Sequence, residues 1–302
     1  MKKSIYLVGI LMLLFCANAF GQLNLPRDSQ RAEVAQIVGD TRIAFVYHRP
    51  NTKGRVIWGC QTNDLVPTGE TTYPCLVPNG QVWRTGANEN TTFETNHDLR
   101  VNGQTLPAGK YGLHTIPGKD EWTIIFSKTN DSWGSFSYKQ ENDQLRIKAK
   151  PQTVAESQET MSLGLENIKA TTADFVIRWE KLRVPFTIDV GDVSARVIGD
   201  IRTQLKNLKA DDSRTPVTAA NYIYSQKMTA NYAEAIGWLD QSLKTKETAN
   251  ALGLKAYLQA ETGNKAEAIA NAERAIIVAK AANPKADTTQ LEKRIAEWKA
   301  NK

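Results

Sequence analysis

The sequence predicts an all-β sandwich or jelly-roll domain followed by a small all-α domain of helical hairpins. Three observations predict it. From residue 33 to residue 189 apolar residues recur mostly at every second position, with turn residues between the runs. After Asp192 the apolar period lengthens to that of a helix. Within that second part, Tyr232-Ala233-Glu234-Ala235-Ile236 is echoed by Lys265-Ala266-Glu267-Ala268-Ile269, close to the roughly 34-residue spacing of stacked helix pairs.

Ahead of both parts, Lys2 and Lys3 precede an apolar run over residues 5–16, and small residues follow at Ala17, Ala19 and Gly21. A charged start, a short apolar stretch and a small-residue cleavage zone make a secretory signal peptide. The run is too short for a membrane span, which needs about 20 residues. Cleavage fits after Ala19 or after Gly21, and the bulky Phe15 is wrong for lipidation of Cys16. The expected organisation is a signal peptide over 1–21, a β-sandwich domain over 22–190 and a helical domain over 191–302. The expected address is exported, periplasmic or extracellular, with no transmembrane segment in the mature chain. Lys and Arg total 38 against 32 Asp and Glu, interspersed without long runs of one sign, which argues against a nucleic-acid groove.

In the β part, Ile43, Phe45 and Tyr47 point one way along a strand and Ala44 and Val46 the other. Asn102-Gly103 marks a two-residue hairpin, because both residues tolerate positive φ. Pro107-Ala108-Gly109 and Pro117-Gly118 bracket a strand over 110–115 and open another over 122–127. Three further alternations follow: Met161, Leu163 and Leu165; Phe175, Ile177 and Trp179; Val184, Phe186 and Ile188. Many short strands with turns between them pack as two sheets. Cys60 and Cys75 survive processing, and an even count in an oxidising compartment predicts a disulfide. Closing a loop of that size is worth about 3 kcal/mol in the chain-entropy model.

In the helical part, Val197, Ile201, Leu205 and Leu208 follow helical spacing, and Thr215-Pro216 reads as an N-cap followed by a first-turn proline. Helices are expected over 216–228, 232–243, 248–261, 265–281 and 288–299. Asn283-Pro284 breaks the chain before a capping box at Asp287 and Gln290. Fewer than three repeats are visible, so an apolar face is left for the β domain, or a protein or peptide partner, to cover.

Several blocks carry a resemblance: Tyr47-His48-Arg49-Pro50, Lys53-Gly54-Arg55, Val82 through Glu89, Leu106 through Thr115, and Glu121-Trp122 with Trp133-Gly134. They resemble the uncharacterised exported family termed domain of unknown function 2911, over about 31–189. The resemblance implies an all-β exported domain and no established activity. The family's usual residue at position 48 is a small hydroxyl one, so a role for His48 would be particular to this chain. The Cys60 to Cys75 excursion is likewise a departure. The residues around 216–280 are similar to degenerate tetratricopeptide repeats.

The chemistry-bearing residues concentrate between Trp83 and His114. Arg84, Asn88, Glu89, Tyr111 and His114, with Arg49, are the candidate ligand-binding residues. Arg84 offers a planar donor fork for a carboxylate or phosphate, and Glu89 with His114 could exchange a proton near neutral pH. Trp83 or Trp122 beside Asn88 would also suit a sugar. The competing reading is a self-satisfied network, in which Arg84 pairs with Glu89, Asn88 sets a turn and His114 sits bonded in the core. His97 reads as a solvated loop residue. No metal-binding, phosphate-cradling or nucleophile-elbow motif is present, so neither a metal nor a cofactor is expected. The leading expectation is a non-catalytic binding or scaffold protein with a small polar ligand on the β domain. The alternative is a hydrolase or lyase using Glu89 and His114, with Arg84 orienting an anionic or sugar substrate.

Overall fold

The computed structural model describes residues 25–300 except 62–65, 68–70 and 73. The signal peptide expected over 1–21 lies outside the described residues. The chain divides into two compact units between Val193 and Ser194.

The first unit is built from β1 (Gln30–Val38), β2 (Thr41–Arg49), β3 (Val66–Pro67), β4 (Thr71–Thr72), β5 (Thr92–Thr95), β6 (Leu99–Val101), β7 (Gln104–Leu106), β8 (Gly109–Ile116), β9 (Trp122–Ser127), β10 (Asp143–Ala149), β11 (Gln152–Glu166) and β12 (Thr172–Asp189). A six-stranded antiparallel sheet runs β1-β2-β5-β8-β9-β10, and a four-stranded one runs β11-β12-β6-β7. β3 and β4 form a separate two-residue ladder. The two sheets make a β-sandwich around one core. Ile43, Phe45 and Tyr47 of β2 are buried in it as their alternation predicts. Phe175 is the hinge of the packing, edge-on to Phe45 at 4.9 Å and stacked on Phe186 at 4.8 Å. At the Asn102-Gly103 hairpin both residues have positive φ, 46° and 82°, which matches the twist of the strands it joins.

One departure from the expected strands is instructive. Phe175, Ile177 and Trp179 are buried at odd positions, and Val184, Phe186 and Ile188 at even ones, yet all lie on the single strand β12. The parity change is absorbed at Glu180, whose φ is +54°, where the pairing with β11 also slips register. The extra residues of this irregularity lie on β11, and the left-handed turn of the backbone at Glu180 lets β12 continue with its following side chains in changed phase, still reaching the core. Cys60 and Cys75 are disulfide-bonded, with Cα atoms 5.8 Å apart. The disulfide sits beside a short backbone ladder in which Leu76 and Val77 donate to the carbonyls of Val56 and Ile57.

The second unit contains α1 (Ser194–Lys206), α2 (Arg214–Ser225), α3 (Tyr232–Thr245), α4 (Ala249–Glu261), α5 (Lys265–Ala282) and α6 (Thr289–Ala300). Ala235 of α3 and Ala268 of α5, the centres of the two echoing stretches, are both fully buried. Two helix starts differ from expectation. At α2 the N-cap position is Ser213, and the carboxylate of Asp212 just before it accepts from the backbone N–H of Arg214 and Thr215; the helix starts at Arg214, so Pro216 is the third helical residue. Proline is tolerated there because the first turn's N–H groups have no intrahelical partner to lose. At α6 Asp287 accepts from the Thr289 N–H, and Glu292, rather than Gln290, closes the turn by accepting from the Thr288 hydroxyl. At α4 Thr248 caps through Ala251 N.

Candidate functional site

The bend from Trp83 to Thr91 winds back on itself. Trp83 Nε1 donates to the Gly86 carbonyl at 3.1 Å, Arg84 Nη1 to the Asn88 carbonyl at 2.7 Å, and Thr91 Oγ1 to the Thr85 carbonyl at 2.7 Å. Gly86 is required because a Cβ there would stand 2.9 Å from the His48 carbonyl. Asn88 tolerates its φ of +58°, while the β-branched Thr85 at +54° is strained and is held by its hydroxyl contact to Thr115. The 130–134 loop braces the bend from outside: Asn90 N donates to the Ser132 carbonyl, Ser132 N donates to Asn90 Oδ1, and Gly134 N donates to the Asn88 carbonyl.

The bend delivers Glu89 to the rim of a hollow of about 680 Å³ on the outer face of the six-stranded sheet. Its floor comes from Val46 and His48 of β2, Thr92 of β5 and Lys110 of β8, and its walls from Asn90, Asn130, Asp131 and the N-terminal segment. Arg31 lies directly across β1–β2 from His48. Glu89 meets two partners there. Arg27 Nη1 donates to both carboxylate oxygens at 2.8 Å, and His48 Nε2 lies 3.4 Å from Oε2. The Arg27 guanidinium also lies over the exposed Trp133 ring, 5.7 Å from its centroid. The Arg27 hydrogen bond holds the Glu89 pKa below the usual carboxylate value. His48 is 8% exposed, and burial lowers its pKa against the raising effect of Glu89, with Arg27 and Arg31 adding to the lowering.

The other predicted residues are distributed as follows. Arg49 Nε donates to the Met161 carbonyl at 2.9 Å, tying the two sheets together. Tyr111 is in the core, its hydroxyl donating to the Pro107 carbonyl. Asn88 Nδ2 donates to the Ser29 carbonyl and anchors the N-terminal segment. Arg84 stays inside the bend, near the Phe136 ring. His114 is buried, its Nδ1 3.2 Å from the Ser135 hydroxyl and its ring against Tyr138. Burial first and the Arg84 charge second push its pKa down to about 4. Of the six, the hollow is lined by Glu89 alone, and its histidine neighbour is His48, not the expected His114. The proposed pairing of Arg84 with Glu89 is replaced by Arg27 with Glu89.

Sequence reasoning passed over Arg27, Arg31 and Lys110, and it left His48 out of the ligand-binding set. A usable signal was there for one of them. On β2 the outward face carries a charge at Arg42 and then runs Ala44, Val46 and His48, of which Ala44 and His48 are buried, which marks this end of the sheet face as having something lying over it. Among the described residues no group of three His, Cys, Asp or Glu side chains is placed to hold a metal ion, and no helix is long and apolar enough to cross a membrane.

A β-sandwich with a charged hollow on one outer sheet face, followed by a unit of helices, defines the class of protein. The chain belongs to the family described as protein of unknown function (DUF2911), which its residues 29–188 match. That span runs from the start of β1 to the end of β12 and stops short of α1. Comparison with curated proteins and with solved structures finds no match.

Proposed function

We propose that this is an exported, non-catalytic binding or scaffold protein of the periplasm or cell envelope, made of a signal peptide, a β-sandwich domain and a helical domain. The β unit holds a small polar ligand in the hollow beside Glu89. The observation that carries this reading is the state of Glu89. Both its oxygens are taken by the Arg27 guanidinium, so it serves as a charge partner and is a poor proton acceptor. Arg31 and Lys110 oppose Glu89 and Asp131 around the same hollow, an arrangement complementary to a ligand bearing both charges. Hydrolase or lyase chemistry through Glu89 and His114 has less behind it, since His114 is bonded to Ser135 away from the hollow's lining.

In the helical unit, a hollow of about 370 Å³ between Asn221, Tyr224, Gly253, Tyr257 and Gln290 supports docking of a protein or peptide segment. The small buried residues Ala235, Ala268 and Ala275, which let the helices approach, support the likeness to degenerate tetratricopeptide repeats.

The test is a thermal-shift screen of free amino acids and short peptides. A stabilising compound is expected, and Glu89→Gln and Arg31→Ala should each abolish the shift while the protein still melts cooperatively. A shift that survives both changes would remove the hollow from the account. Turnover of the compound that stops with Glu89→Gln would replace binding by catalysis.

A further inference from the structure

The cation seated on Glu89 is the protein's own. Arg27 belongs to the segment 25–29, which precedes β1 and contributes to the lining of the hollow. Leu25, Pro26, Arg27 and Asp28 are all exposed. Among the described residues, no backbone hydrogen bond ties this segment to a neighbouring strand. Its ties are polar: Asn88 Nδ2 donates to the Ser29 carbonyl at 3.2 Å, Lys53 Nζ donates to Asp28 at 3.0 Å, and Arg27 sits on Glu89. The Arg27 and Glu89 side chains are 45% and 46% exposed, and an ion pair so open to water holds a segment weakly.

The surface beneath Arg27 is held more firmly. Glu89 and Trp133 face each other across an antiparallel backbone bridge, and the hydrogen bonds of Asn90 with Ser132 and of Gly134 with Asn88 flank it. Residues opposed across such a bridge put their side chains on one face. The backbone, not Arg27, therefore brings the carboxylate and the indole together. Trp122 and Trp179 are buried in the core, whereas Trp133 is 56% exposed, and what lies over its ring is the Arg27 guanidinium.

A carboxylate beside an open indole selects among cations. A guanidinium is flat, carries five N–H donors and is weakly hydrated, so its edge bonds the carboxylate while its face packs on the ring. An ammonium is compact and strongly hydrated, and it gains less from the ring. Arg27 already displays this geometry, with Nη1 2.8 Å from both Glu89 oxygens and its guanidinium carbon 5.7 Å from the Trp133 centroid. A weakly held segment thus places a guanidinium on a firmly built receptor for one.

We infer that Glu89 and Trp133 recognise the guanidinium of a small ligand of the arginine type, and that Arg27 occupies the same place until that ligand displaces it. This rests on the reading of the hollow as a ligand site, in which Arg31 and Lys110 take the ligand's anionic end. Arg27 then sets the affinity by competition. The ligand binds the fraction of molecules in which residues 25–29 have lifted, and removing Arg27 removes that penalty.

The experiment is titration calorimetry on the full chain with L-arginine, L-lysine and L-citrulline, the last carrying a neutral urea in place of the guanidinium. Arginine should bind, and Arg27→Ala, a change at an exposed side chain, should tighten its binding at least about tenfold. Lysine and citrulline should each bind at least about tenfold more weakly than arginine. In the Arg27→Ala protein, Glu89→Gln should abolish arginine binding, Trp133→Ala should weaken it at least about tenfold, and Trp133→Phe should retain it. Arginine bound no more tightly after Arg27→Ala, citrulline or lysine bound as tightly as arginine, or no arginine binding by either protein would overturn the inference. The hollow is judged separately. A compound whose melting shift is lost with Glu89→Gln but is equal in the wild type and Arg27→Ala keeps the ligand reading and refutes displacement of Arg27. Arginine binding that survives Glu89→Gln removes both.

Discussion

The two units solve the same problem with opposite materials. The β unit fills one continuous core with large rings, Phe45, Phe93, Phe126, Phe175, Phe186, Trp122 and Trp179 among them. The helical unit has two smaller clusters in which alanines hold the closest positions: Ala220, Ala235 and Ala251 in one, Ala256 and Ala272 in the other. Sheets stacked about 10 Å apart leave a gap that only long side chains fill, while helices can approach until a methyl group is the right size. Stability in the first unit therefore rests on volume present, and in the second on volume absent. The same contrast explains where hollows form: the β unit's charged hollow lies outside its packed core, on a sheet face, and the helical unit's lies between helices.

Truncation in the β core should have the largest effect. Phe175→Ala removes the ring that joins Phe45 to Phe186, and it should cost about 3–5 kcal/mol in denaturant unfolding followed by tryptophan fluorescence. A cost below that of an ordinary methyl deletion would show that the rings are not the principal support.

Next in size is an acid effect that His114 gives the β unit. His114 is neutral in the folded chain with a pKa near 4, and unfolding returns it to its ordinary 6.5. Between those values the unfolded chain binds a proton that the folded one excludes. Stability is thus intact above about pH 6.5 and falls as pH falls, by about 1.4 kcal/mol per unit and about 3 kcal/mol in all, levelling off near pH 4. His114→Gln should flatten that slope in a series of denaturation curves from pH 7 to pH 4, and an unchanged slope would place the acid sensitivity elsewhere.

The smallest effect is expected from overfilling the helical unit. Ala235→Leu puts a long side chain where none fits and should cost about 1–3 kcal/mol, read from helical circular dichroism. If it stabilises instead, the two units do not differ in the way described.

Much of this architecture was legible in the chain. The β alternation, the Asn102-Gly103 turn, the disulfide and the limits of α3 to α5 to within two residues follow from local rules that act over a few neighbours. The parity change between Trp179 and Val184 was visible too, but it read as two strands because nothing local distinguishes a bulge from a turn. The candidate site was less legible. Glu89 was named, yet its partners Arg27 and His48 come from a segment without periodicity and from the outward face of a core strand. His114 looked like its partner because the two share a motif-rich stretch, and β8 instead carries it to a buried position beside Ser135.

By itself the sequence determined which part of the chain forms strands and which forms helices, and where the covalent crosslink forms. Those are consequences of backbone preference, apolar period and residue chemistry, all readable within about a dozen positions. Only the tertiary structure decided which charges share a hollow. Strand register sets Arg31 opposite His48, the braced bend lifts Glu89 to meet His48, and the segment before β1 brings Arg27 across. Each is a juxtaposition of residues apart in the chain, selected by strand pairing within one sheet and by the loops that cross its outer face, and not by any pattern along one segment.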